Sequence, residues 1–72
     1  MTPQALEVLL HLRRLGTITR VEAENVYRIR HLPGTIFRLR TAGYVITAEQ
    51  KRDLTGQRYV RYRLVAEDTA GV

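Results

Sequence analysis

The sequence predicts a single α+β domain in which three helices are followed by a two-stranded β-hairpin. Three observations predict it: apolar residues at helical spacing early in the chain, helix-starting residues at three positions, and two alternating segments near the end. A length of 72 residues allows one domain. We expect this domain to span residues 1–66, with a frayed tail at 67–72 that shows no periodicity.

The first helix begins at Thr2-Pro3, where a hydroxyl N-cap is followed by a proline in the first turn, and it ends at Gly16. Helical spacing predicts a core face made of Ala5, Val8, Leu9 and Leu12. Three further leucines widen the apolar stripe, and these are Leu6, Leu10 and Leu15. They are either additional core or a self-association surface for a homodimer, and the width of the stripe leaves both open.

The second helix is short and has a clear start. Thr17-Ile18 is predicted to be an extended link, with Ile18 pointing inward. The segment Thr19-Arg20-Val21-Glu22 then fits a capping box, in which the threonine and the glutamate each satisfy the other's free backbone amide. We expect this helix to end near Arg28, and its inner side to consist of Ala23, Val26 and Tyr27.

The third helix raises a question, because Pro33 and Gly34 are poor helix formers inside an apolar and basic segment. The residue before a proline avoids the α region, so any helix arriving from Arg28 must end or bend at Leu32. Proline is favourable at the start of a new helix, which we expect to run to about residue 42 with Gly43 as a left-handed cap. Its predicted inner face is Leu32, Ile36 and Leu39, with Phe37 beside it, and its predicted outer face is Gly34, Thr35, Arg38 and Thr41.

The last part of the chain predicts a β-hairpin. Residues 44–50 and 58–65 alternate, with Tyr44, Ile46 and Ala48 on one side of the first strand and Val60, Tyr62 and Leu64 on one side of the second. The segment KRDLTGQ between them contains Asp53 and Gly56, which suit a turn of several residues.

The positive charge is concentrated in the second half of the fold. The chain carries a net charge of +5, yet residues 1–27 are neutral, with three basic and three acidic residues. Residues 28–63 hold nine basic residues against two acidic ones, a balance of +7. An asymmetry of this kind attracts polyanions.

A short capped helix, a turn and a second helix with an apolar inner face follow the pattern of a helix-turn-helix. The second helix of such a pair enters the DNA major groove, and here that recognition helix would be about residues 32–42. The predicted base contacts are His31, Gly34, Thr35 and Arg38. Arginine suits guanine and threonine suits a thymine methyl group or a phosphate. Gly34 either lets the backbone approach the duplex or only belongs to the turn.

Other basic and polar residues are predicted to contact DNA phosphates. On and around the second helix they are Thr19, Arg20, Arg28 and Arg30, and on the hairpin loop, residues 51–58, they are Lys51, Arg52, Gln57 and Arg58. The loop would act as a wing against the DNA backbone or the minor groove. Each residue alone also fits a solvated surface charge, and their joint location favours DNA. Arg40, Arg61 or Arg63 could instead pair with Glu49 or cover the sheet.

The segment TRVEAENVYRIRHLPGTIFRLRTAGYVI, residues 19–46, resembles a small winged helix-turn-helix family common in bacteriophage and prophage genomes. The residues that carry the resemblance are Thr19, Glu22, Ala23, Tyr27, Ile29, Ile36, Leu39, Arg40, Ala42, Gly43, Tyr44 and Ile46, followed by RYVRYRL at 58–64. Pro33-Gly34 departs from the family, which has ordinary helix formers there. The resemblance implies a small phage-type transcriptional regulator that binds double-stranded DNA sequence-specifically.

Catalysis, cofactors and a membrane location are not indicated. His11 and His31 lie on different predicted elements, without cysteine or an acidic cluster, so we expect no metal site. No catalytic triad, phosphate-binding glycine loop or carboxylate pair can be assembled, so we expect neither an enzyme nor a small-molecule substrate. No apolar run approaches the ~18 residues of a membrane span. A cytoplasmic location is the expectation.

Two alternatives to DNA remain open. The first is a protein-binding winged helix that acts as an inhibitor or adaptor of a host or phage protein, because fold does not determine function. The extra leucines of the first helix favour it, whereas the basic second half favours DNA. The second alternative is RNA, for which we would expect more exposed aromatic residues than Tyr59.

Overall fold

The computed structural model describes residues 2–67, and its element order matches the predicted one, including a short strand at the extended link before the second helix. The elements are α1 (Pro3–Leu15), β1 (Thr17–Thr19), α2 (Arg20–Tyr27), α3 (Leu32–Thr41), β2 (Tyr44–Arg52) and β3 (Arg58–Glu67). The α+β class and the three helices are confirmed. None of the helices in residues 2–67 has the length and apolar character that crossing a membrane requires.

The sheet has three strands in the order β1-β3-β2, so the prediction of a two-stranded sheet was incomplete. β1 pairs antiparallel with β3, with Thr17 opposite Arg63 and Thr19 opposite Arg61. Three residues are too few for alternation to be recognised in the sequence, and their partner lies more than forty residues away. The added strand covers part of an otherwise open edge of β3 and gives the hairpin the third strand that independent stability usually needs.

The predicted helix ends are confirmed in detail. The Thr2 hydroxyl accepts a hydrogen bond from the Ala5 amide at 3.2 Å, and Gly16 closes α1 at φ +88°. Thr19 and Glu22 form both halves of the capping box at the start of α2. At the other end of the chain, Glu67 is the last residue of β3, while residues 68–72 of the predicted tail lie outside the described residues.

The core is built from all three helices, β1 and the start of β2, and one of its members lies in the turn between α2 and α3. That residue is Ile29, which is 1% exposed, whereas Val26 is 63% exposed. The prediction that Val26 faces inward was therefore wrong. Arg28 adopts a left-handed conformation that ends α2, and the chain then turns so that Ile29 reaches the interior.

The additional leucines of α1 do not extend the core, because Leu6, Leu10 and Leu15 are all exposed. The remaining space beside the core is filled by a histidine instead. His11 is buried, and its Nδ1 lies 2.8 Å from the Tyr27 hydroxyl in a hydrogen bond that ties α1 to α2. Self-association through the three leucines stays a prediction.

Four arginines are held by contacts within the domain. Arg40 donates two hydrogen bonds, at 3.0 and 2.7 Å, to the Ile46 carbonyl, next to a shift in the register between β2 and β3. Arg63 pairs with Glu49 at 3.2 Å, which the sequence had suggested. Arg61 donates to the Thr17 hydroxyl. Arg13 binds Glu67, and this hydrogen bond raises the pKa of the Arg13 guanidinium above its ordinary value.

The contrast between Ile29 and Val26 can be tested by unfolding. We expect Ile29→Val to lower the free energy of unfolding by about 0.5–1.5 kcal/mol, because it removes a buried methylene from a packed site. Val26→Ala should change the same quantity by less than about 0.5 kcal/mol, because the side chain is on the surface. Urea denaturation followed by circular dichroism measures both. Equal losses from the two variants would contradict the placement of Ile29 in the core.

Candidate nucleic-acid interface

The third helix packs one face on the core and leaves the other exposed. Its buried residues are Leu32, Thr35, Ile36 and Leu39, and its exposed residues include Pro33, Phe37, Arg38 and Thr41. The helix begins at Leu32, so the chain does restart at Pro33, which occupies the first turn. Gly43, at φ +107°, follows its end in the predicted left-handed conformation.

Two residues of α3 lie on the opposite faces of the helix from those that the sequence predicted. Thr35 is 5% exposed and Phe37 is 68% exposed, so the expected outward position of Thr35 and the inward position of Phe37 were both wrong. Thr35 follows Leu32 by three residues and precedes Leu39 by four, which places it on the core face. Phe37 follows Pro33 by four and precedes Thr41 by four. Spacing alone could have identified both, but hydrophobicity argued the other way.

The burial of Thr35 removes its side chain from the predicted base contacts. Thr19 changes in a similar way, because it is buried and its hydroxyl is used by the capping box. That hydroxyl accepts from the Glu22 amide at 3.3 Å, and the Thr19 amide donates to the Glu22 carboxylate at 3.0 Å. The Thr19 hydroxyl itself donates to the Glu22 carboxylate at 3.0 Å, so both donors of Thr19 are used within the capping box.

The side chain of His31 occupies the space beside Gly34 where a larger residue would place its Cβ. The imidazole of His31 lies against Gly34, so that a Cβ built on Gly34 would come within 2.5 Å of the His31 Cδ2 atom. Any larger residue at this position would displace the ring. His31 is exposed at the start of α3 and makes no side-chain capping bond.

The turn between α2 and α3 carries two exposed arginines, Arg28 and Arg30. Arg28 has φ +57°, the only positive φ of a non-glycine residue in the described part of the chain. Its amide donates to the Glu24 carbonyl at 3.0 Å, and the Ile29 amide donates to Ala23 at 3.1 Å. This left-handed conformation disfavours residues with a Cβ by roughly 1–2 kcal/mol, so the turn holds an arginine where glycine would fit with less strain.

The hairpin forms a wing whose loop is shorter than predicted. β2 continues through Lys51 and Arg52, and β3 begins at Arg58, so only residues 53–57 form the loop. Asp53 organises it, because its Oδ1 accepts from the Thr55 amide at 2.9 Å, the Thr55 hydroxyl at 2.6 Å and the Gln57 amide at 3.0 Å. The Thr55 hydroxyl bond is the main reason that the pKa of Asp53 lies below its ordinary value.

A groove runs from the start of α2 past α3 to the wing. Its lining includes Arg20, Val21, Pro33, Gln57, Arg58 and Tyr59. Two predicted phosphate contacts from distant parts of the chain, Arg20 and Arg58, therefore lie on one concave surface. Arg38 lies elsewhere, beside Phe37 in a second hollow between α3 and the start of α1. Lys51 and Arg52 lie on β2, outside both.

The cations among the predicted contact residues form no ion pair within the described part of the chain, a property that they share with the exposed Arg14 of α1. Among residues 2–67, no ion pair involves any of the exposed cations at the predicted interface, which are Arg20, Arg28, Arg30, Arg38, Lys51, Arg52 and Arg58. The ion pairs that do form use Arg13 and Arg63, together with a 3.7 Å contact between His11 and Glu22. The described residues contain no cluster of three or more potential metal ligands.

Comparison with known families agrees with this geometry. A family model described as a winged helix-turn-helix domain matches residues 3–67, which is almost the whole described chain. Searches of curated proteins and of solved structures found no match to the chain.

The lowered pKa of Asp53 leads to a test of the wing by pH. A carboxyl group whose pKa is lowered by folding stabilises the fold above its unfolded value, ordinarily 3.8, and this stabilisation is lost as the pH falls through the lower folded value. We therefore expect the native protein to exceed Asp53→Asn in stability at neutral pH, with the difference shrinking once the pH falls below 3.8 and lost below the folded pKa.

Denaturant unfolding at a series of pH values measures that difference. Glu24→Gln is a matched control, because Glu24 is an exposed carboxylate without a side-chain partner in the described region. A difference between the native protein and Asp53→Asn that stays constant with pH would show that the loop does not favour the ionised carboxylate.

Proposed function

This chain belongs to the winged helix-turn-helix family, and we propose that it binds double-stranded DNA sequence-specifically as a small phage-type transcriptional regulator. In this proposal α3 lies in the major groove, and the β2–β3 hairpin acts as the wing. DNA binding is the general function that the family suggests. Such domains typically act without catalysis, and the proposal assigns no chemical step. It places the protein in the cytoplasm of a bacterial host, where it would reach DNA.

The observation that carries the proposal is the separation of cations into two groups. The side chains of Arg13, Arg40, Arg61 and Arg63 are bound within the domain. Within the described residues, no ion pair involves the seven other cations at the proposed interface, which are Arg20, Arg28, Arg30, Arg38, Lys51, Arg52 and Arg58. Free cations on consecutive exposed elements are what a phosphate backbone requires, because each phosphate contact releases bound counterions. Arg20, Arg28, Arg30, Lys51, Arg52, Gln57 and Arg58 are the proposed backbone contacts.

Base recognition is assigned to the exposed face of α3. Arg38 can form two hydrogen bonds to guanine, and Phe37 can contact the methyl group of thymine. These two adjacent residues border the same hollow, so they would reach neighbouring base pairs. His31 and Gly34 remain proposed contacts at the start of the helix. Thr41 is less suited, because its hydroxyl already donates to the Phe37 carbonyl at 3.0 Å.

Specific binding by so small a domain favours a dimer or adjacent copies. A single module buries only about 600–1,000 Å² on DNA, which is at the low end for specific complexes. Leu6, Leu10 and Leu15 are exposed on α1 and provide apolar area for pairing. We therefore propose a homodimer that contacts two half-sites.

The same leucines favour a second candidate function, the docking of a host or phage protein. In that case α1 would bind the partner protein, and the basic face would serve as an inhibitor or adaptor surface. The two functions separate in one experiment, because binding to DNA requires no partner protein.

That experiment is fluorescence anisotropy of the purified protein with random and phage-derived duplexes at two salt concentrations. Affinity that rises steeply as salt falls, with some duplexes preferred, supports a sequence-specific DNA-binding protein. Salt-dependent affinity without sequence preference would leave only an architectural role. Absence of binding at low salt would refute the proposal and favour a protein partner.

Substitutions should distinguish base contacts from phosphate contacts. We expect Arg38→Ala to weaken binding to the preferred duplex by about 1–3 kcal/mol and to relax sequence preference. Lys51→Ala should weaken binding to all duplexes alike and lower the slope of log K against log salt by about one. Arg14→Ala, an exposed arginine on α1, is the control and should change neither. If Arg38→Ala bound every duplex with unchanged affinity, the assignment of α3 to the major groove would be wrong.

The assignment of Phe37 can be tested on the DNA instead of the protein. Replacing thymine by deoxyuridine at one position at a time removes single methyl groups, and we expect one or two positions to lose affinity. Phe37→Ala should bind the thymine and uracil duplexes equally at those positions, because the group that senses the methyl is gone. Retention of the thymine preference in Phe37→Ala would assign the methyl contact to another residue.

A further inference from the structure

The tip of the wing presents a leucine that contacts nothing in its own chain. The side chain of Leu54 is fully exposed, more so than that of any other large hydrophobic residue in the described chain. Turns of this kind are usually made of small polar residues, and Asp53, Thr55 and Gly56 supply these around it. A leucine at this position adds no packing to the fold and is free to contact a partner outside it.

The loop that carries Leu54 is held in one shape before any partner binds. Besides the three hydrogen bonds that Asp53 accepts, its own amide donates to the Gln57 carbonyl at 3.0 Å, and the Gly56 amide donates to the Asp53 carbonyl at 3.0 Å. Gly56 adopts φ +84°, which residues with a Cβ rarely tolerate. A preformed loop loses little conformational entropy on binding, so it can position an exposed side chain firmly.

The wing also projects far enough to act separately from α3. β1 pairs with β3 only at residues 61–63. Between this paired region and the tip, the hairpin therefore consists of two strands and the loop. The distance from Glu49, opposite Arg61, to Asp53 is four residues, or about 13 Å at the usual rise of a strand. The tip therefore extends about 13 Å beyond the part of the sheet that β1 supports.

The charges behind the tip favour a polyanionic partner such as a nucleic acid. Arg52 lies directly opposite Arg58 in the sheet, and Lys51 precedes them on β2. Like charges opposite each other weaken a hairpin, and neither arginine has an acidic partner in the described residues. Two phosphates, one on each side of a groove, would neutralise this pair. Beside this pair, the carboxylate of Asp53 accepts hydrogen bonds from the loop amides.

We propose that Leu54 inserts as a wedge into a base step of the minor groove, and that the protein bends the duplex beside the site of α3. The minor groove is about 6 Å wide, too narrow for a two-stranded ribbon with its side chains but wide enough for the tip of a loop. Apolar side chains inserted at such steps unstack the bases and kink the duplex toward the major groove. The inference rests on the proposed DNA binding and adds bending to it.

Bending and binding can be measured on the same complex. The probe is a duplex that contains the preferred site, labelled at its two ends for energy transfer, with anisotropy read in parallel. We expect the native protein to shorten the end-to-end distance. Leu54→Ala should lose this shortening and bind about tenfold more weakly, because the bent contacts are no longer reached. Leu54→Met, which keeps a long apolar side chain, should retain both.

Val45→Ala is the matched control, because Val45 is an exposed apolar residue at the opposite end of the same hairpin. A duplex carrying 2-aminopurine at successive steps should show increased fluorescence at one minor-groove step, and Leu54→Ala should abolish the increase. Binding without shortening by the native protein, or equal bending by Leu54→Ala, would overturn the wedge and leave the proposed function standing. Absence of binding would overturn both.

Discussion

The arrangement of this domain depends on what happens at Thr19. This residue ends β1, where it pairs with Arg61 of β3, and it is also the N-cap of α2, where it exchanges hydrogen bonds with Glu22. One residue therefore joins the sheet to the helix-turn-helix. Because the wing extends from β3, and α3 follows α2 through a fixed turn, the relative positions of the two proposed DNA-binding elements depend on this junction. A lost cap of this type typically costs about 1 kcal/mol, but here it would also loosen the geometry of the whole surface.

The arginines illustrate how one residue type serves two purposes in a small domain. Arg40 satisfies a carbonyl group near the irregular part of the hairpin, and Arg61 binds Thr17 across β1 and β3. These side chains replace part of the hydrophobic stabilisation that a chain of this size cannot supply, since small domains bury a smaller share of their surface. The remaining arginines on α2, α3 and the wing make no such contacts within the described residues, so their charge is available to ligands.

Features that depend on neighbouring residues could be predicted from the sequence, whereas a strand pairing between distant segments could not. The caps at Thr2 and Thr19 depend on residues within one helical turn, so they could be recognised directly. The pairing of β1 with β3 depends on a strand far along the chain, and three residues carry no visible period. On α3, the hydrophobicity of Phe37 outweighed its spacing, although its exposure is what gives the proposed site an apolar contact. The position of Leu54 at the tip could not be predicted, because it depends on how far the pairing of β2 with β3 continues.

The pairing of β1 with β3 also has a consequence for how the chain folds during synthesis. Thr17–Thr19 are synthesised more than forty residues before their pairing partners, residues 61–63. On a ribosome the three helices can form while the hairpin is still inside, yet β1 has no strand to pair with until β3 emerges. The nascent domain therefore reaches its native state only when nearly all of it has been translated. Shortening the hairpin from the C-terminal side would then leave β1 without the strand with which it pairs.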